Sequence, residues 1–325
     1  MPAEPTDSTG QPGPLERMAD IKDRGKEPRS ASVLNSWISK AQGDVGLEAD
    51  RLGWLVASAV VVAALQRTRE DDGRSSFLLK GGTYLQYRMD WAARPTKDVD
   101  GLVRGDIDRF IEALDETIRE PWGPLQLTRT EVEVIEVPGK PVKPRRFYMQ
   151  VSLRGDVWRK VKIEISPDEA GAAGEHDVLP APDLKFLGIP SPGQLLGIAM
   201  RFQIAQKIHA CTDPHSPPDQ KNDRARDVVD LLLLRDLVNA EGTPSLSELR
   251  GACIAVFEAR AEDARAAEWP PRDWPPTAVA YEHWGIDYAA AAGKGGITLG
   301  LDEAITELNV WIAQIDAAES DAPAA

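Results

Sequence analysis

Apolar positions in the first part of the chain follow a helical rhythm. Between residues 32 and 70, Val33, Trp37 and Ile38 share one stripe, and a second helix over 51–69 carries the run WLVASAVVVAAL. A helix apolar on every side is buried all round. The run is 12 residues long and lies between Arg51 and Arg67, too short to cross a bilayer. After the polar break DDGRSS come a short apolar run, FLL, then LKGGTYLQYRM, a Pro-containing loop AARPT, and KDVDGLV. In the last of these Val99 alternates with two carboxylates, the pattern of a strand with two different faces. Residues 107–118 return to helical spacing through Phe110, Ile111, Leu114 and Ile118. The β-formers of 145–153 and 157–165 flank Arg154, Gly155 and Asp156, which predicts a hairpin.

Beyond a loop at 180–192 the pattern is helical throughout, with apolar stripes over 193–210, 226–240, 246–266 and 301–317. The chain is therefore expected to be α+β and bilobed, a mixed sheet flanked by helices followed by a helical lobe. The expected divisions are a loose tail over 1–30, the α/β lobe over 31–185, the helical lobe over 186–317 and a frayed end over 318–325. The opening residues lack the apolar core of a signal peptide. Two cysteines, Cys211 and Cys253, can build neither a disulfide framework nor a four-thiolate zinc site. They are expected as buried fillers in a cytoplasmic protein with no membrane partner. His176, His209, His215 and His283 show no zinc-ligand spacing. Trp37, Trp54 and Trp311 fall on helical stripes and are expected as packing residues.

A formal net charge of −14 makes the protein as a whole repel polyanions. Contact with nucleic acid must then be local, and Lys143, Arg145, Arg146, Arg154, Arg159, Lys160 and Lys162 form a cluster that could supply it. A solvated face explains such a cluster equally.

Asp98 and Asp100 are two apart on a predicted strand, so both carboxylates leave one face and could share a hard cation. The same spacing occurs on ordinary exposed strands. Gly81 and Gly82 add a place where backbone amides can approach an anion closely, and Thr83 adds a hydroxyl at the start of the next helix. A plain strand-to-helix turn would read the same way.

A glycine pair with a hydroxyl, followed about fifteen residues on by an Asp-x-Asp strand, resembles the nucleotidyltransferase superfamily that includes DNA polymerase β. More closely, Lys80, Gly81, Gly82, Thr83, Leu85, Arg94, Thr96, Asp98 and Asp100 resemble the AbiEii/AbiGii toxin family, to which the MenT toxins belong. QLLGIAMRFQIAQKIHACTDP is similar to the family's motif-lysine helix and sets that lysine at Lys207. NDRARDVVDLLLL is similar to the helix that follows and gives Arg226, Asp227 and Asp230. The resemblance runs from about residue 33 to 315.

The resemblance implies a nucleotidyltransferase-type sheet and an enzyme that takes NTP as substrate. It implies Mg2+ or Mn2+ on Asp98 and Asp100, nucleotide binding by Lys80, Gly81, Gly82, Thr83 and Arg226, and a phosphate contact from Lys207 with Asp227 holding it. Glu164, in VKIEIS, is the candidate base or third metal ligand that the superfamily sets on a neighbouring strand; an exposed strand glutamate beside Lys162 is the other reading. The implied acceptor is the 3′ end of transfer RNA, with aminoacylation blocked, and a cognate antitoxin is implied as partner. Thr96 matches a hydroxyl residue that is phosphorylated in some relatives. A small-molecule acceptor, a protein acceptor and a nucleotide-binding protein without turnover are the alternatives, and the acidic charge suits a cationic acceptor.

Overall fold

The computed structural model describes residues 12–137, 142–218 and 220–319, and its contacts divide the chain into two compact units. The first comprises residues up to 137, 142–168 and 173–198. Its sheet orders its strands as β3 (Leu125–Arg129), β5 (Arg145–Leu153), β6 (Asp156–Pro167), β2 (Asp98–Val103), β1 (Phe77–Lys80), β8 (Leu195–Ile198) and β7 (His176–Leu179), with β4 (Glu133–Val134) paired to β5. β1 runs antiparallel to β2, whereas β2 runs parallel to β6 and β1 parallel to β8, so the sheet is mixed, as expected.

Alternation decides the two faces. Phe147, Met149 and Val151 of β5 and Val161, Ile163 and Ile165 of β6 are buried, while Tyr148, Gln150, Lys162 and Glu164 between them are not. Each such buried side chain contributes roughly 1.5–3 kcal/mol. α2 (Ala31–Val45) and α3 (Ala49–Leu65) meet β6, tied by Trp158 Nε1 donating to Asn35 Oδ1 at 2.8 Å and by Arg159 to Asp50 at 2.7 Å. α3 is buried along nearly its whole length, as its uninterrupted apolar run predicts. At the β5–β6 turn, Arg154 and Gly155 take φ values of +52° and +91°.

The second unit holds residues 169–172 and everything described from 199 on. It is built from α6 (Met200–Cys211), α7 (Ala225–Glu241), α8 (Leu246–Ala266), α9 (Gly285–Gly295) and α10 (Leu301–Asp316). Arg260 of α8 grips Glu169 through two hydrogen bonds of 2.9 and 2.8 Å, and Arg235 of α7 pairs with Glu307 of α10 at 3.0 Å.

Three expectations change. Within the expected tail 1–30, Pro14–Asp20 forms helix α1, with Pro at its start and Leu15 and Met18 buried; residues 1–11 lie outside the described residues. Residues 193–210, read as one helix, are strand β8 followed by α6. A four-residue apolar run cannot show by period whether it is helix or strand, and its pairing with β1 and β7 decides the matter. The same strand places the division of units after Ile198, later than the loop at 180–192 suggested. Residues 320–325 of the expected frayed end also lie outside the described residues.

Candidate active site

The chain leaves β1 through an extended Lys80 and turns into α4 (Gly81–Arg88) at Gly81, whose φ is +71°. An L side chain is strained in that left-handed conformation. Space excludes one as well, because a Cβ there would fall on the Asp100 carboxylate. In the antiparallel register Lys80 stands opposite Asp100, so the glycine corner and the carboxylate strand meet at one end of two neighbouring strands. The Thr83 hydroxyl donates to the Asp98 carbonyl at 2.6 Å and ties the first turn of α4 to β2. Lys80 reaches across β2, its ammonium donating to Ser166 Oγ at 2.6 Å.

On the other side of β2 the parallel register sets Asp98 opposite Lys162 and Asp100 opposite Glu164. Period two puts all four on one face. The Lys162 ammonium lies 3.1 Å from Asp98 Oδ2 and 3.1 Å from Glu164 Oε1, and Arg146 lies 2.9 Å from the same Glu164 oxygen. The Asp98, Glu164 and Lys162 side chains are 41%, 29% and 26% exposed, so each pair contributes about 1 kcal/mol or less to stability. The charges matter more for chemistry. Burial pushes the Glu164 carboxyl up, but hydrogen bonds and charge from Lys162 and Arg146 outweigh it and hold the group below the ordinary carboxylate value. Burial would lower the Lys162 ammonium, yet its bonds to Glu164 and Asp98 outweigh that and raise it. Glu164 is thus a carboxylate engaged by two cations and a weak proton acceptor.

Two carboxylates on one face, beside backbone that closes in only because Gly81 has no side chain, suit a hard divalent cation that completes its shell with substrate phosphates and water. Among the described residues no group of three or more His, Cys, Asp or Glu side chains is placed to hold an ion. Thr96 is half-buried, and its Oγ1 is 3.2 Å from where a Cβ on Gly82 would sit.

The remaining candidates lie in the second unit. Lys207 of α6 is buried, its ammonium 2.6 Å from Asp227 Oδ1 and 2.7 Å from Asp230 Oδ2 on α7, and Asp230 is wholly buried. Arg226 is exposed. In the sequence Lys162 stands as one of a basic run and as the neighbour of Glu164. Its K-I-E alternation with Glu164 is visible in the sequence, but its approach to Asp98 depends on β6 lying parallel beside β2, which local pattern does not disclose.

Moving a nucleotidyl group requires a phosphate cradle beside a cation held by carboxylates, and the β1–α4 corner set against β2 brings a glycine turn beside two carboxylates. The family model described as nucleotidyl transferase AbiEii toxin, type IV toxin–antitoxin system, matches residues 63–307, and the chain belongs to that family. It is a nucleotidyltransferase toxin, and the family implies a nucleotide substrate and a cognate antitoxin. No curated protein matches it. Among solved structures it is similar to MenT4, a nucleotidyltransferase toxin from Mycobacterium tuberculosis H37Rv, with 17% identity, a TM-score of 0.46, and coverage of 87% of this chain and 99% of that one. No helix among the described residues is long and apolar enough to cross a membrane.

Proposed function

We propose that this toxin transfers a nucleoside monophosphate from an NTP to the 3′ end of transfer RNA, working in the cytoplasm and stopping aminoacylation. The observation that carries the reading is the corner itself, where Gly81 backbone, Asp98 and Asp100 converge at the end of two paired strands. The backbone N–H groups of Gly81, Gly82 and Thr83 receive the phosphates while Lys80 adds positive charge; the Thr83 hydroxyl, which donates to the Asp98 carbonyl, braces the turn instead. Asp98 and Asp100 hold Mg2+ or Mn2+, which when bound supplies neutralisation of the phosphate oxygens. The acceptor hydroxyl oxygen bonds to the α-phosphorus, the bond to the bridging oxygen breaks, pyrophosphate leaves, and the hydroxyl proton passes to solvent. The depressed Glu164 carboxyl favours a part in positioning Lys162 and Arg146 over that of base.

The resemblance gives Lys207 a phosphate contact and Arg226 a nucleotide contact. Enclosure of Lys207 by Asp227 and Asp230 supports a further part for it, joining α6 to α7. A phosphate on Thr96, packed against Gly82, would add negative charge beside the corner and oppose NTP. The net charge of −14 favours one second reading, a cationic small-molecule acceptor.

Expression of the intact chain and Asp98→Ala, with sequencing of transfer RNA 3′ ends, tests the proposal. Added nucleotides are expected with the intact chain alone, and activity should fall by at least about 10³-fold in the variant without loss of fold. Labelled NTP incubated with RNA, protein and aminoglycoside separates the acceptor classes, and label on protein or small molecule with none on RNA refutes the RNA acceptor.

A further inference from the structure

The cluster of basic residues divides between the two faces of the sheet. Arg159 turns toward the helices and pairs with Asp50 at 2.7 Å, and Arg145 pairs with Asp108 at the start of α5 (Ile107–Thr117) at 3.2 Å. Arg146, Lys160 and Lys162 stay on the opposite face, interleaved with Tyr148 and Gln150. The registers Tyr148 opposite Lys162, Gln150 opposite Lys160 and Lys162 opposite Asp98 make this a continuous row leading from the carboxylates toward the outer strands. Tyr148 lies two strand spacings from Asp98, about 10 Å. On β3, Thr128 continues the row beside Gln150, and Thr130 clamps the Tyr148 backbone, its N–H donating to the Tyr148 carbonyl at 2.9 Å and its Oγ1 accepting from the Tyr148 N–H at 3.0 Å.

Tyr148 is 38% exposed within this polar, basic row, so its ring is accessible to a stacking partner while charges stand on either side of it. From this geometry we infer that the open β5–β6 face is the track for the single-stranded 3′ end of an RNA acceptor, with one base stacked on Tyr148 and phosphates beside Lys160 and Arg146. The inference rests on the RNA acceptor proposed above and names the residues that would hold it. Three features select that occupant. The chain is strongly acidic overall, so a polyanion is admitted only where a basic row offsets the field. The row is continuous with the carboxylates, so a strand lying along it brings its terminal hydroxyl to them. Base stacking on a tyrosine tolerates any base and needs an unpaired strand. Because Arg146 and Lys162 already face Glu164, and Glu133 stands opposite Arg146, stacking and Lys160 carry most of the binding.

The test is fluorescence anisotropy of a 5′-labelled single-stranded RNA of about ten nucleotides with a free 3′ hydroxyl, added to the full chain and to Tyr148→Ala, Tyr148→Phe and Lys160→Ala. Tyr148→Ala should bind roughly tenfold more weakly or worse. Tyr148→Phe should restore binding, since the ring does the stacking. Lys160→Ala should lower the salt slope of log affinity by about 0.7, the share of one phosphate on a single strand. NTP binding should be unchanged in all three, and each should still unfold in one cooperative transition. If the intact chain binds RNA and Tyr148→Ala binds it equally, the track falls while the RNA acceptor stands. If the intact chain binds no RNA, both fall together.

Discussion

Gly81→Ala tests the corner, and its cost divides into two parts that can be measured separately. The first is conformational, since an L residue held at a φ of +71° is strained by about 1–2 kcal/mol. The second is displacement of Asp100, on whose carboxylate the new methyl group would fall. The backbone has little freedom to give way, because β1 is paired to β2 along its whole length from Phe77 opposite Val103 to Lys80 opposite Asp100. The carboxylate must therefore turn aside, and a shift of about 1 Å in a reacting constellation costs on the order of 10²-fold in rate. Gly155→Ala supplies the control. Its φ is +91° and nothing lies within 4 Å of the added carbon, so it carries strain without displacement. By urea denaturation followed through tryptophan fluorescence, both variants should lose about 1–2 kcal/mol or slightly more. By calorimetric titration with Mg2+ and NTP, and by transfer of label, only Gly81→Ala should fail. Transfer by Gly81→Ala within about threefold of the intact chain would refute the reasoning.

Lys207→Met removes an ammonium from between Asp227 and the wholly buried Asp230, and should cost about 3 kcal/mol or more; an unchanged urea midpoint would contradict the described pairing. The depressed Glu164 carboxyl contributes stability above its unfolded value near 4.5 and loses that contribution as pH falls through the lower folded value. Glu164→Gln should therefore be less stable than the intact chain at pH 7, with the difference shrinking toward pH 3; a constant difference would show that charge is not its cause. Burial pushes the Cys211 and Cys253 thiols far up, so neither should react with a thiol reagent in the native protein and both should react in denaturant.

Elements whose own side chains declare a buried face were readable before the fold was known. The apolar wall of α3 and the alternation Phe147, Met149, Val151 across the hairpin turn at Arg154 and Gly155 needed no tertiary information. The Asp98 and Asp100 pair was legible for the same reason, since period two puts both on one side. Elements stabilised by distant partners were not. β7 and β8 are four residues each, too short for periodicity, and exist because they pair with each other and β8 with β1. α1 is anchored by Asp90, whose Oδ1 accepts from the Leu15 N–H at 2.8 Å across 75 residues. Lys162 is visible in the sequence as one of a basic cluster, but its pairing with Asp98 is not, because the two are 64 positions apart and meet only through a parallel crossover.

The arrangement of β2 has a consequence for how such a protein can diverge. Substitution at Val99 or Leu102 leaves the direction of its neighbours intact, but one residue inserted or deleted between Asp98 and Asp100 would put the two carboxylates on opposite faces of the strand, one of them in the apolar layer beneath. The strand is therefore sensitive to the number of residues that separate the two aspartates as well as to their identity.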